Sequence, residues 1–356
     1  MLTAIVIPNL LDVSFRKKLF DNPDFRKIHK GVVPRLGGFS FFPSVFLSVA
    51  VVLVFSFLYA PSLFVNTDTV ASFPQLIILA SSTLVLFLVG LKDDLVNVKY
   101  IYKFYAQGIA SLLTVLSGIY IGNFHGLFGI GNLHSAIAFV ISLCIIVFIL
   151  NAVNLIDGID GLASGLGIIT FCYFGAFFFA AGDYIDSLVA WASLASVAVF
   201  FCFNYFGKEK THKKIFMGDI GSLTMGMIVA YLTIRVTSIS PDSNLVLNPI
   251  VIAFSPLVIP FFDVVRVFIF RIKNKKSPFL PDKSHIHHRL MDSGLSPHKT
   301  LFTILVFQIL LILVNLILNF FVNINVVLIL DIIAYVIIIE LISKKIVKTK
   351  KDIINA

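Results

Sequence analysis

Apolar residues recur along the whole chain in long runs that short polar gaps separate. A membrane-spanning helix needs about 20 mostly apolar residues, and ten runs come close to that length. They lie near residues 39–60, 74–91, 101–121, 136–155, 162–181, 188–206, 220–239, 249–270, 300–321 and 324–342. The pattern predicts ten transmembrane helices.

The first apolar run, from Met1 to Val13, is shorter and contains Pro8. It can continue through Phe15 and Leu19 as a tilted helix, so an eleventh span is expected there. A cleaved signal peptide is disfavoured because no basic region precedes the run and no small-residue cleavage site follows it. The prediction is an all-α, polytopic integral membrane protein with ten or eleven transmembrane helices, forming a single domain over residues 1–356.

Basic residues fix the expected orientation of these helices. All 28 Lys and Arg residues except Arg235 and Arg266 fall in every second gap. The basic gaps are 14–38, 92–103, 207–214, 271–299 and the tail at 344–351. Basic loops remain in the cytoplasm during insertion, so these gaps and the C-terminus are predicted to be cytoplasmic.

The composition excludes other classes of protein. Hydrophobic residues make up 58% of the 356 residues, which is far from the soluble range. The net charge of +9 reflects topology and some affinity for anionic headgroups or substrates. The basic loops lack the interleaved aromatic residues typical of RNA-reading surfaces, so no nucleic-acid partner is expected.

Two adjacent carboxylates, Asp93 and Asp94, end the second predicted span on the basic side. Neighbouring carboxylates repel each other unless a cation or a proton lies between them. They are therefore candidates for binding Mg²⁺ or for acting as a general base. The simpler alternative is a solvated helix end.

Four polar residues follow each other at intervals of three at the end of another span: Asn151, Asn154, Asp157 and Asp160. In a helical or tightly turned backbone this spacing places them on one face. Asp160 could instead cap the next helix, which starts at Gly161. Polar groups at the membrane edge are costly without a partner or a wet cavity, so the set predicts a functional site.

Asp219 opens a further span, between Gly218 and Ser222. Backbone N–H groups at a helix N-terminus suit a phosphate, and an Asp beside them suits a metal carried by that phosphate. By itself this motif is weak, because Asp before an apolar helix is usually a cap.

Three histidines, His285, His287 and His288, lie in the basic loop 271–299 and are followed directly by Arg289. The segment that carries these four residues is called the histidine loop. These side chains are expected to contact phosphate or sugar. A Zn²⁺ site and a plain solvated loop are the alternatives.

Two acidic residues stand apart from these motifs. Asp263 is expected to pair with Arg266, one helical turn away. Asp331 lies inside the last span, where snorkelling to the outer face is the only physical account of it.

Five ordered motifs together resemble the polyprenyl-phosphate N-acetylhexosamine-1-phosphate transferase family, within glycosyltransferase family 4. They occupy residues 26–38, 90–94, 151–161, 217–222 and 285–290. With the spans included, the resemblance covers nearly the whole chain. The departure is the short first helix, which puts the true start of the chain in question rather than the activity.

The resemblance implies transfer of a sugar-1-phosphate from a UDP-sugar to undecaprenyl phosphate, with release of UMP. Mg²⁺ is the implied cofactor, with Mn²⁺ as the alternative. The implied place is a bacterial inner membrane, with the site on the cytoplasmic face, at the start of O-antigen, capsule or teichoic-acid-type synthesis. N-acetylglucosamine is the default sugar; other N-acetylhexosamines, the pathway and the oligomeric state stay open.

The resemblance also assigns roles to the residues in the motifs. The metal ligands would be Asp219 and Asn154. The catalytic acids would be Asp93, Asp94, Asp157 and Asp160, with Asp93 deprotonating or orienting the lipid phosphate. Substrate binding would fall to His29, Lys30, Arg35, Asn151, His285, His287, His288 and Arg289.

Two rival functions remain at this stage. A cation-coupled transporter would place its acids near the middle of the bilayer, whereas these acids lie at helix ends on one side. A lipid phosphotransferase with CDP-activated donors would carry an Asp-Gly-x-x-Ala-Arg element, which the sequence lacks. Within the favoured reaction, direct in-line attack by the lipid phosphate is preferred to a covalent Asp intermediate.

Overall fold

A computed structural model of the protein describes residues 1–20, 33–59, 67–238, 247–275, 277 and 284–354. Within these residues the chain forms thirteen α-helices and no strand, apart from one isolated bridge between Asn123 and Asn132. The all-α prediction is confirmed.

The first seven helices are α1 Leu2–Lys17, α2 Phe41–Tyr59, α3 Thr67–Val96, α4 Tyr100–Leu116, α5 Ser135–Ile156, α6 Leu162–Ala180 and α7 Tyr184–Phe201. The other six are α8 Gly218–Thr237, α9 Pro249–Phe254, α10 Val258–Lys273, α11 Ile286–Asp292, α12 Pro297–Leu318 and α13 Ile324–Ile354.

Nine segments of the described chain are long and apolar enough to cross a membrane. They coincide with nine of the predicted spans, so the polytopic prediction is confirmed. The remaining two, α1 and α4, are helices at the predicted places but have only 16 and 17 residues. The span predicted for 101–121 therefore ends early, at Leu116, where the chain turns through Ser117 and Gly118.

Helix α8 lies at the centre of the bundle and is almost entirely buried. It packs mainly against α3 and α5. The close contact with α3 depends on Gly90, where an added Cβ atom would lie 2.6 Å from Cα of Ile220. Small residues allow membrane helices to approach each other closely. This contact brings the C-terminal end of α3 beside the first turn of α8.

The span predicted for 249–270 is broken in the middle. A short 3₁₀ turn, Ser255–Leu257, separates α9 from α10. A break at membrane depth leaves backbone groups that need partners, and Gln308 of α12 supplies them. Its Nε2 donates to the carbonyl of Ser255 at 2.9 Å, and its Oε1 accepts from the N–H of Ile259 at 3.3 Å.

Arg235, which lies outside the alternating charge pattern, has two acidic partners. Its guanidinium donates to Asp186 at 2.6 Å and to Asp183 at 2.8 Å. Tyr231 donates to the other oxygen of Asp186 at 3.0 Å. This buried network ties α7 to α8 at the end of α8 that is farther from Asp219.

Candidate active site

Three carboxylates meet where α3 ends and α8 begins. Asp93 and Asp94 belong to the last turns of α3, and Asp219 belongs to the first turn of α8. One oxygen from each of the three lies within 4.8 Å of the others. The structure thus brings together acids from two motifs that are more than 120 positions apart in the sequence.

A lysine that the sequence analysis missed lies between these acids. The ammonium of Lys103, in the first turn of α4, donates to Oδ2 of Asp219 at 2.5 Å and to Oδ2 of Asp93 at 3.1 Å. Three carboxylates and one ammonium leave an excess of two negative charges when all are ionised. The available signal was a basic residue in the first turn of an apolar helix, shortly after the acid pair.

Asp94 has a structural task at this centre. Its two oxygens accept the backbone N–H groups of Asp219 and Ile220, each at 3.0 Å. These are donors at the N-terminus of α8 that have no partner within the helix. These N–H groups were expected to bind a phosphate, but in the structure they donate to Asp94, which therefore fixes the position of Asp219.

The amides of α5 face the same centre, as their spacing predicted. Asn154 donates to the hydroxyl of Ser222 at 2.8 Å and to Oδ1 of Asp219 at 3.3 Å. Asn151 lies one turn earlier and donates to Oε1 of Gln107, in α4, at 2.8 Å. Asn154 thus orients the Asp219 carboxylate, while Asn151 joins α5 to α4.

Asp160 does not cap α6, contrary to the alternative considered from the sequence. It pairs with Lys214 at 2.7 Å. The cap position is taken by Gly161, whose φ of 82° is left-handed and whose N–H donates to Asn204 at 2.6 Å. Glycine adopts this conformation at little cost.

Asp157 lies just after the end of α5, and solvent reaches its side chain. Its carboxyl is nevertheless closely surrounded by protein. Desolvation, together with the negative charges of Asp160 and Asp219, raises the pKa of Asp157 to about 7, against the opposing effect of Arg35. The side chain can therefore exchange a proton near neutral pH.

The histidine loop is held by residues of the membrane helices. Nδ1 of His285 lies 2.7 Å from Oδ2 of Asp263, in α10. The other oxygen of Asp263 accepts from the backbone N–H of Ile286 at 2.9 Å and from Arg266 at 2.8 Å. The expected pairing of Asp263 with Arg266 is confirmed, and it belongs to a larger network that positions the loop.

His287 packs directly on the segment that carries Asp157. An added Cβ atom at Gly158 would lie 2.1 Å from Nε2 of His287. His287 is 2% exposed, and neither of its ring nitrogens has a hydrogen-bond partner within the protein. Desolvation and the neighbouring His288 lower the pKa of His287 to about 3. This imidazole is therefore neutral at physiological pH, and both its ring nitrogens are buried without a partner among the described residues.

The remaining basic residues are placed as follows. The ring of His288 lies beside that of His287, tilted by 44°, with the ring centroids 4.3 Å apart. Arg289 donates to the hydroxyl of Ser343 in α13. Arg35 precedes the short 3₁₀ helix Leu36–Ser40, and its carbonyl oxygen lies close to Gly218.

Two predicted substrate-binding residues, His29 and Lys30, lie outside the described residues. The three histidines do not form a converging metal site in the described part of the chain. There the group of three ligand atoms close enough for a shared metal ion is that of Asp93, Asp94 and Asp219.

A largely apolar cleft adjoins the acidic centre. Its volume is about 850 Å³, and it runs between α4, α5 and α10. Lys103 and Asp219 line it where it meets the centre, while Leu143, Phe148 and Phe268 supply apolar walls. A cleft of this kind can hold an apolar chain with a negatively charged end at the lysine.

Comparisons with known proteins agree with this geometry. A sequence model of glycosyl transferase family 4 matches residues 76–237, which include all three acids of the centre. A probable undecaprenyl-phosphate N-acetylglucosaminyl 1-phosphate transferase of Bacillus subtilis (strain 168) is 30% identical over 85% of this chain and 78% of its own.

Two further relatives are both undecaprenyl-phosphate alpha-N-acetylglucosaminyl 1-phosphate transferases. The one from Yersinia pestis is 27% identical over 81% of this chain and 73% of its own. The one from Escherichia coli (strain K12) is 25% identical over 79% of this chain and 71% of its own. Taken with the five motifs, these matches show that the chain belongs to glycosyl transferase family 4.

Proposed function

We propose that the protein transfers N-acetylglucosamine-1-phosphate from UDP-N-acetylglucosamine to undecaprenyl phosphate and releases UMP. The observation that carries the proposal is the junction of the acidic centre with the apolar cleft, at Lys103 and Asp219. A polyprenyl chain needs an apolar path, and its phosphate needs positive charge at the end of that path. The names of the relatives supply the sugar and the lipid.

The reaction is a single displacement at phosphorus. An oxygen of the lipid phosphate forms a bond to the β-phosphorus of the UDP-sugar. The bond from that phosphorus to the oxygen bridging the two phosphates breaks, and UMP leaves with the electron pair. The product is a sugar joined to the lipid through a pyrophosphate. Catalysis of such transfers depends mainly on positioning and on neutralising charge.

Mg²⁺ fits the acidic centre, and Mn²⁺ is the alternative. Carboxylate and amide oxygens are the ligands that such ions prefer, and Asp93, Asp94, Asp219 and Asn154 offer them. The excess of negative charge also favours a divalent cation at the place where the Lys103 ammonium now bridges Asp93 and Asp219. A bound Mg²⁺ would supply charge neutralisation for the pyrophosphate.

Side chains of the protein would bind the phosphate and accept its proton. Lys103, once released from the carboxylates, is placed to receive a phosphate oxygen. Asp157, which titrates near neutral pH, can take the proton from the lipid phosphate. Asp93, of which this role was expected, is the alternative base; its two oxygens accept hydrogen bonds from the backbone N–H of Val98 and from Lys103.

The histidine loop supplies the other side of the site. His287 is buried against Gly158, with two unpartnered ring nitrogens, and is suited to contact the sugar or the pyrophosphate. Asp263 holds His285 in one orientation and so acts as a positioning residue.

The proposal places the site on the cytoplasmic face of a bacterial inner membrane. The support is the charge pattern: basic residues fill the gaps on the side of the acidic centre. UDP-sugars are made in the cytoplasm, so the donor meets the lipid there. The product would start a surface polysaccharide of the O-antigen, capsule or teichoic-acid type.

Purified protein in nanodiscs tests the proposal. With undecaprenyl phosphate, Mg²⁺ and UDP-N-acetylglucosamine, we expect UMP and a lipid-linked sugar, and EDTA is expected to stop both. Asp219→Asn should remove most of the activity, whereas Asp12→Asn, on the exposed face of α1, should not. UDP-N-acetylgalactosamine and other UDP-N-acetylhexosamines form the donor panel. Failure with every donor would overturn the proposal.

A further inference from the structure

A second cavity lies at the opposite end of the bundle from the acidic centre. Its volume is about 300 Å³, at the lower end for a small-ligand site. Helix α8 begins at the acidic centre, and Thr237, where it ends, contacts His125 of the loop beside this cavity. The two ends of α8 are roughly 27 Å apart. The walls are mostly apolar and include Phe124, Phe254 and Phe261.

Two polar side chains, Asn315 and Asp331, line this apolar cavity. Nδ2 of Asn315 donates to Oδ2 of Asp331 at 2.9 Å. The residues are 2% and 7% exposed, so the expectation that Asp331 snorkels to the surface is wrong. Oδ1 of Asn315 is buried and has no partner. Among the described residues, no basic side chain pairs with Asp331.

Hydrogen bonds hold the loop that forms one wall of the cavity. Asn248 donates to the carbonyl of His125 at 2.8 Å, and Asn325 donates to that of Gly126 at 3.0 Å. Asn325 also accepts from the N–H of Phe128 at 2.7 Å. These bonds fasten the loop between α4 and α5 to the starts of α9 and α13. Phe124, Leu127 and Phe128 of this loop line the cavity, so the bonds hold one of its walls in place.

We propose that this cavity binds an amphiphile with a primary ammonium group. An ionised carboxylate buried among apolar residues is costly unless it is paired, and a cation is the partner that compensates its charge. An ammonium has three N–H donors and no acceptor, which suits the Asp331 carboxylate together with the unpartnered Oδ1 of Asn315. The aromatic walls receive the hydrocarbon chain. Two sources share this chemistry, an aminophospholipid and a free long-chain amine.

The wild-type protein provides the first test. In nanodiscs of phosphatidylcholine, dodecylammonium is titrated and its binding is measured by calorimetry beside that of dodecanol. We expect saturable binding at one site, with dodecanol about tenfold weaker or more, because hydrogen bonds to charged groups are the stronger ones. Equal binding of the two probes, or no saturable binding of dodecylammonium, would overturn the proposal.

Variants locate the site. Asp331→Asn keeps the shape and removes the charge, so the affinity for dodecylammonium should fall about tenfold or more. Glu340→Gln neutralises an exposed acid on the same helix and should change nothing. Leu328→Phe narrows the cavity without altering charge and should also weaken binding, which decides the matter if Asp331→Asn does not fold. Undiminished binding in a folded Asp331→Asn or Leu328→Phe protein would refute the site.

A lipid comparison separates the two sources. Native mass spectrometry of protein released from mixed bilayers reports retained phosphatidylethanolamine and phosphatidylcholine. Preferential retention of phosphatidylethanolamine that Asp331→Asn abolishes would identify the aminophospholipid. Dodecylammonium binding without such retention would identify the free amine. Retention that is the same in wild type and Asp331→Asn, together with no dodecylammonium binding, would overturn the proposal.

Discussion

The ammonium of Lys103 lies 2.5 Å from a carboxylate oxygen of Asp219, a residue 116 positions further along the chain. It also lies 3.1 Å from Asp93. One lysine therefore compensates part of the repulsion between acids that come from two different helices. The ammonium lies between Asp93 and Asp219, which is also where a divalent cation is expected to bind.

Replacing Lys103 should make the thermal stability of the protein depend more strongly on Mg²⁺. In Lys103→Gln the carboxylates lose their ammonium, so without Mg²⁺ the melting temperature should fall by about 3 °C. Added Mg²⁺ should restore it by more than it raises the wild type, and transfer activity should fall more than tenfold. Thermal melts with and without Mg²⁺ check this, with Lys99→Gln, an exposed lysine one turn earlier, as the control. Equal Mg²⁺ shifts in variant and wild type would contradict it.

Asp94 should matter for stability even without substrates. Asn can replace only one of the two charged acceptors for the N–H groups of Asp219 and Ile220. We expect Asp94→Asn to lose about 2 kcal/mol of unfolding free energy and to displace Asp219. Denaturant unfolding measures the loss, and Asp12→Asn should show none. An Asp94→Asn protein with wild-type stability and reduced activity would instead indicate a purely chemical role.

The pH dependence of transfer tests Asp157. Its pKa is raised to about 7, and a base works only when deprotonated, so wild-type activity should rise with pH through about 7. Below that value it should fall about tenfold per pH unit. Asp157→Asn should be slow and should lack this limb, while Asp12→Asn should keep it. An unchanged limb in Asp157→Asn would assign the titration to a substrate phosphate.

The close contact between Gly158 and His287 leaves no room for a side chain at position 158. The Cβ atom in Gly158→Ala would lie 2.1 Å from Nε2 of His287, so the ring must move. Overpacking of this kind costs about 1–3 kcal/mol, and the KM for the UDP-sugar should rise. Gly131→Ala adds a Cβ atom in open space and should be neutral.

A double variant decides whether the clash is the cause. If the imidazole is what the new methyl group meets, adding His287→Ala to Gly158→Ala should restore part of the lost stability. Strictly additive losses of unfolding free energy would place the effect of Gly158→Ala in the backbone instead.

Much of the fold was predictable from the chain because a bilayer imposes a simple rule. Apolar length predicted the spans, since backbone groups must be satisfied within each helix. The rule failed where partners are distant: the break between α9 and α10 depends on Gln308, which lies about 50 positions later. Nothing in the local sequence indicates such a partner.

The residues of the site could be identified from the sequence motifs, but the contacts between residues of different helices could not. Asp93 was singled out because adjacent carboxylates repel each other, Asp219 because it opens a helix, and Asn154 because polar groups at a membrane edge are costly without a partner. The structure brings these three residues together. Lys103 was missed because its position at the start of an apolar helix, shortly after the acid pair, does not reveal that its ammonium contacts an acid 116 positions later. The capping role of Asp94 was also missed, because the N–H groups that it binds belong to another helix.

The most direct test of the central claim follows the β-phosphate of the donor. With UDP-N-acetylglucosamine labelled with ³²P in the β-position, undecaprenyl phosphate and Mg²⁺, transfer of the sugar-1-phosphate puts the label in the lipid product. The unlabelled nucleotide released is UMP. We expect this result for the wild type and for Asp12→Asn, and its loss in Asp219→Asn. Label retained in released UDP, with a sugar on the lipid, would mean transfer of the sugar alone and would contradict the account.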